Sequence, residues 1–243
     1  MKQILALSLL LCGCATTWIA PVDFVQQDIK SNDFEIRTYQ KITNTTHPIH
    51  IYIEGDGHAF NARGIPTHNP TPRGTFLRDL SASDLHPNVV YIARPCQYNM
   101  SASCTQSDWT DGRFSQRIID NMTQTIKTIA QDRPVILIGY SGGALLSGLI
   151  INQNPDINVK QWVTIAGVLN HSDWTKHFGD KPLTQSQDMI TLPQIPQIHY
   201  VAEKDTVVPH ALSQKWTNGE NLITVPNATH SNFPNIKIKF TNY

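Results

Sequence analysis

The stretch ILIGYSGGAL, residues 136–145, sets three aliphatic residues before Gly-Tyr-Ser-Gly-Gly and then turns apolar again. The aliphatic run with Val135 reads as a buried strand, and ALLSGLII after it reads as a helix ending near Pro155. Between them a lone serine, Ser141, stands among glycines. Either the glycines only make a tight turn, or the turn exists to present the serine.

Outward from this point, the chain alternates strand and helix patterns. Apolar runs closed by glycine or proline predict strands at HIYIEGDG (from His50), NVVYIARP (from Asn88), WVTIAGV (from Trp162), IHYVA (from Ile198) and NLITVP (from Asn221). FEIRTY near Phe34 adds an antiparallel strand at the start. Phe114, Ile118, Ile119, Met122, Ile126 and Ile129 fall at helical spacing, and Pro134 closes that helix. The alternation predicts an α/β domain whose central sheet is mostly parallel, and in such sheets ligands bind beyond the C-terminal strand ends.

The residues after the strands are Gly55-Asp56-Gly57, Ser141, Asp205 and His230. A serine, an acid and a histidine thus follow three strands in that order. Gly139-Tyr140-Ser141-Gly142-Gly143 resembles the G-x-S-x-G nucleophile elbow of the α/β-hydrolase family. AEKDTVVP resembles that family's acid loop and NATHSNF its histidine loop, so the resemblance spans about residues 34–233. It implies a hydrolase that cleaves a small acyl ester, or a thioester or amide (a peptide included), through a covalent acyl-serine, without cofactor or metal. Ser141 would be the nucleophile, His230 the base and Asp205 the acid that orients it. Gly142 and Asp56 would supply oxyanion N–H groups, with Gly57 the next choice to Asp56. Asp173, in NHSDWT after the preceding strand, is the rival acid. His58 and His68 near the oxyanion loop, and Trp109, Trp174 and Tyr98 in loops, are candidate pocket residues. About thirty residues separate Val168 from Ile198, too few for a large lid. An acyltransferase, or a non-catalytic surface lipoprotein of the same fold, is the alternative.

The 243 residues suit one large domain, and a net charge of zero gives no basic excess for binding nucleic acid. Oligomeric state is not legible. The N-terminus, MKQILALSLLLCGCA, has an apolar stretch too short to cross a bilayer, where about 20 residues are needed. Leu11-Cys12-Gly13-Cys14 resembles a bacterial lipobox, with Cys14 as the acylated residue and a membrane anchor as the consequence. This reading divides the chain into a signal at 1–13, a lipidated segment at 14–33 and a hydrolase domain at 34–243. By resemblance to the sorting pattern of such lipoproteins, the absence of aspartate after Cys14 implies the outer membrane of a bacterial envelope. Export into an oxidising compartment leaves Cys96 and Cys104 to pair as a disulfide that ties down the loop after VVYIA, where pocket walls form. No Cys-x-x-Cys or histidine pair has zinc-site spacing.

Overall fold

The computed structural model describes residues 18–241; Cys14 and the signal segment lie outside the described residues. Eight strands form one sheet: β1 (Val25–Lys30), β2 (Glu35–Ile42), β3 (Ile49–Ile53), β4 (Asn88–Ile92), β5 (Val135–Tyr140), β6 (Val159–Ile165), β7 (Gln197–Ala202) and β8 (Leu222–Val225). Their order is β1-β2-β4-β3-β5-β6-β7-β8. Pairing is antiparallel between β1 and β2 and between β2 and β4, and parallel everywhere else. The helices are α1 (Phe76–Ala82), α2 (Gln116–Ala130), α3 (Gly142–Gln153), α4 (His171–Phe178) and α5 (His210–Thr217).

Period-two alternation splits the central strands between two apolar layers. Ile51, Ile92 and Leu137 face one layer, closed by Ile118, Met122 and Ile126 of α2 and Leu145, Leu146 and Leu149 of α3. Tyr52, Tyr91 and Ile138 face the other, which Leu77 of α1 and the C-terminal segment with Ile236, Ile238 and Phe240 cover. Helices therefore lie on both faces. Both sides of β3, β4 and β5 are buried, which is why these strands read as unbroken apolar runs.

The sheet begins ahead of Phe34. Strand β1 exposes five of its six residues, so VQQDIK carries almost no apolar signal. Phe24 and Ile29 are nonetheless buried, at 7% and 6% exposure, so the folded unit reaches into the segment set apart as lipidated. Between β6 and β7 the chain holds α4 and loops and builds no lid domain.

On β7, His199 is 1% exposed, with Nδ1 2.9 Å from Thr164 Oγ1 and Nε2 2.9 Å from Gln197 Oε1. Burial pushes its pKa down to about 4. The unfolded chain therefore takes up a proton first as pH falls below about 6.5, the usual imidazole value. This lowers stability progressively between about pH 6.5 and pH 4, by about 3 kcal/mol in total. Urea titrations across that window should show the loss, and His199→Gln should flatten this part of the acid limb. A variant whose acid limb matches the wild type would assign the loss to other groups.

Candidate active site

The chain runs from β3 to β4 on one side of the sheet and returns to β5 on the other. The crevice of such a sheet lies at this reversal, and there Gly55-Asp56-Gly57 and Ser141 leave their strands. Ser141 joins β5 to α3 with φ 51° and ψ −122°, a conformation strained for a side chain with Cβ. The backbone fixes it: Ser141 N–H donates to Ile165 O at 3.0 Å, and Ser141 O accepts from Val168 N–H at 3.0 Å. The flanking glycines are needed for close approach. A Cβ on Gly139 would lie 2.5 Å from Gly143 O, and one on Gly143 would collide with Ile53 O.

Three side chains from distant loops meet here. His230 Nε2 lies 3.1 Å from Ser141 Oγ, and His230 Nδ1 lies 2.9 Å from Asp205 Oδ2. Asp205 Oδ1 accepts from the N–H groups of Val207 and Val208 at 2.8 and 2.9 Å. The Asp205 side chain is fully buried, whereas His230 keeps 17% exposure at the cavity. A carboxylate only accepts, so the network assigns the proton to Nδ1 and leaves Nε2 free to accept from the serine hydroxyl. The acid and histidine loops are laced together: Lys204 N–H donates to Ala228 O at 2.9 Å and Asn227 N–H to Glu203 Oε2 at 2.7 Å. Asp173 goes elsewhere. It sits in the first turn of α4, bound to Lys215 Nζ at 2.6 Å and Trp216 Nε1 at 2.8 Å.

Ser141 opens into a cavity of about 360 Å³ walled by Phe76, Tyr140, Val168, Trp174 and Val208. Of the five aromatic and histidine candidates, Trp174 and His58 line it. Trp109 is instead packed into the core, its indole N–H on Thr67 O, while Tyr98 is packed near Arg37 and Arg78, and His68 is also absent from the lining. Burial and the nearby Arg73 lower the His58 pKa. Among the described residues the amide N–H of Asp56 has no hydrogen-bond partner. The Asp56 carboxylate lies so close to Gly142 that a Cβ there would strike it. Arg94 and Arg113, each 4% exposed, both pair with it at 2.9 Å.

Glu54, Arg94, Arg113 and His171 were not anticipated as site residues. Glu54 and Arg94 follow β3 and β4 closely, so the strand-end rule that selected Ser141 extends to them. Glu54 is 4% exposed and lines the cavity; burial raises its pKa, and Tyr91 O–H donates to it at 2.8 Å. His171 is buried against Phe114, which lowers its pKa. No sequence signal distinguished Arg113 or His171 from ordinary loop and helix residues.

Cys96 and Cys104 form a disulfide with a Cα–Cα distance of 5.8 Å. The bond lies behind the loop that follows β3. None of residues 96–104 lines the cavity around Ser141, so the expected pocket wall is a second layer instead.

The family model described as Serine hydrolase (FSH1) matches residues 89–228, more than half of the chain. No curated protein matches the sequence. Solved structures match over most of their length. An α/β serine hydrolase without lid from Xanthomonas campestris is 13% identical, with 88% of each chain covered and a TM-score of 0.53. Est1E from Butyrivibrio proteoclasticus is 13% identical, covering 86% of this chain and 91% of its own, with a TM-score of 0.58. A serine hydrolase from the polyaromatic-hydrocarbon-degrading Cycloclasticus zankles is 11% identical, covering 85% and 91%, with a TM-score of 0.59. Identities this low speak for the fold alone.

Proposed function

The chain belongs to the serine hydrolase (FSH1) family, and from that premise we propose that it cleaves a carboxylic acyl ester through a covalent acyl-serine. The observation that carries this reading is the continuous hydrogen-bonded chain from Ser141 through His230 to Asp205. His230 Nε2 takes the proton of Ser141 Oγ as the oxygen attacks the acyl carbon. The tetrahedral oxyanion is held by the N–H groups of Gly142, at the positive end of α3, and of Asp56. The imidazolium, stabilised by Asp205, then returns the proton to the departing alkoxide. Water repeats the sequence on the acyl-serine, with His230 again as base, and releases the acid. These steps use only side chains and backbone of this chain, so the reading calls for no cofactor.

The test is a panel of p-nitrophenyl esters of graded length together with peptide substrates, run beside labelling by a fluorophosphonate. Ester turnover with labelling of the active enzyme supports the proposal. Peptide cleavage without ester cleavage would move the substrate to amides.

The proposal extends to location: a lipid on Cys14 would anchor the domain to the bacterial outer membrane. Trp18, a few residues on, is docked on α1, with its indole N–H 2.7 Å from Asp79 Oδ1 and its ring 5.0 Å from the Arg78 guanidinium. The anchor would therefore hold the domain close to the bilayer. No described helix is long and apolar enough to cross a membrane. Metabolic labelling with a palmitate analogue should mark the wild type and not Cys14→Ser, which should leave the membrane fraction. An unlabelled wild type removes the anchor.

A further inference from the structure

The Asp56 N–H can stabilise an oxyanion only if its peptide plane is held at one angle, and that plane is shared with the carbonyl of Gly55. We infer that Gln97, on the disulfide loop, is the positioning residue that sets this angle; the inference rests on the acyl-serine reading above. Gln97 Nε2 donates to Gly55 O at 2.9 Å. In a trans peptide C=O and N–H point in opposite directions, and no described peptide bond is cis. A donor that captures Gly55 O from behind the loop therefore turns the Asp56 N–H away from itself. The loop lies directly beside the elbow, since a Cβ on Gly55 would stand 3.0 Å from Ser141 Cβ.

Two further groups of the loop are also tied. Gly55 N–H donates to Glu54 Oε1 at 2.9 Å, and the Asp56 carboxylate is gripped by Arg94 and Arg113. Gly57 has φ 64°, and a Cβ on it would lie 2.7 Å from Gln97 Nε2. Among the described residues the N–H groups of Asp56 and Gly57 are left as the donors of this turn without a partner, and that of Asp56 shares its peptide plane with the carbonyl Gln97 holds.

Gln97 is itself fixed. It is 1% exposed, and its Oε1 accepts from Arg94 N–H at 3.0 Å, which fixes which end of the amide faces Gly55. Its N–H donates to Arg94 O at 3.1 Å and its carbonyl accepts from Asn99 N–H at 2.8 Å. Both neighbours, Cys96 and Tyr98, have positive φ (68° and 65°), and Cys96 is bonded to Cys104. The disulfide thus supports the site through Gln97, although it does not touch the cavity.

A donor aimed at the oxyanion acts on the transition state, so its misdirection lowers kcat more than it raises KM. In Gln97→Met the side chain keeps its bulk and loses the donor. In Gln97→Asn it keeps the amide but falls short of Gly55 O. Full loss of an oxyanion donor costs about 10²–10³ in kcat, so a donor that is present but loosely aimed should cost about 10–100-fold. The measurements are kcat and KM for p-nitrophenyl butyrate, and the affinity of an arylboronic acid, whose tetrahedral adduct on Ser141 is anionic. The expected result is the stated loss in kcat, KM within about threefold, and a matching loss of boronate affinity. The asparagine variant carries the test should the methionine variant not fold. A folded variant with kcat within about threefold of the wild type, or with its loss confined to KM, overturns the role of Gln97. A wild type that neither reacts with a fluorophosphonate nor cleaves esters instead overturns the acyl-serine reading.

Discussion

Ser141→Ala is expected to lower ester turnover by about 10⁴–10⁶-fold and to abolish fluorophosphonate labelling. The size follows from how the three side chains cooperate. Without Oγ, His230 has no hydroxyl to deprotonate and no acyl-enzyme forms. The residual rate is what substrate binding and the oxyanion donors give to direct attack by water. The fold should hardly notice, because among the described residues Ser141 Oγ has His230 as its one side-chain partner, at 3.1 Å, while the backbone bonds of the turn need no side chain. Ser141→Gly should be equally inactive yet melt at a higher temperature, since glycine relieves the strain of φ 51° and ψ −122°. Full labelling of the alanine variant would place the nucleophile on another residue.

The same turn shows why part of the molecule was legible in its sequence. Strands β3, β4 and β5 are covered on both faces, so each appears as a closed apolar run, and the residues leaving them are marked by position. That was enough to place Ser141, Asp205 and His230 at one edge of the sheet. Strand β1 was not legible because an edge strand with one buried residue need not alternate. Helix α1 was missed because seven residues give barely two turns of pattern. The arrangement behind the site was missed for another reason. Gln97 and Arg113 look like the polar residues of any surface loop; Glu54 and Arg94 do stand near strand ends, but the meaning of all four lies in pairings across up to 57 positions, as between Asp56 and Arg113. Such contacts depend on sheet order, which periodicity does not encode.

The choice of acid was also open in the sequence, because Asp173 and Asp205 both follow strands, and it leads to the second large effect. Asp205→Asn is expected to reduce kcat by about 10⁴-fold, the scale seen when a triad histidine is held in the wrong tautomer. The asparagine carbonyl can still accept from Val207 and Val208 N–H, as Asp205 Oδ1 does, so the loop should keep its shape. The amide NH₂ then faces His230 and donates where the carboxylate accepted. His230 Nδ1 must become the acceptor, and the proton moves to Nε2, the atom that has to take the serine proton. The stabilising charge beneath the imidazolium disappears in the same step. Asp173→Asn should leave turnover within about threefold of the wild type. That change weakens an ion pair with Lys215, whose side chain is 62% exposed, and such surface pairs contribute about 0–1 kcal/mol. Single-turnover acylation rates on both variants, measured at one pH above the imidazole range, separate the two acids. If the losses are exchanged, Asp173 must reach His230 in the working enzyme, and the bond between Asp205 and His230 is then structural only.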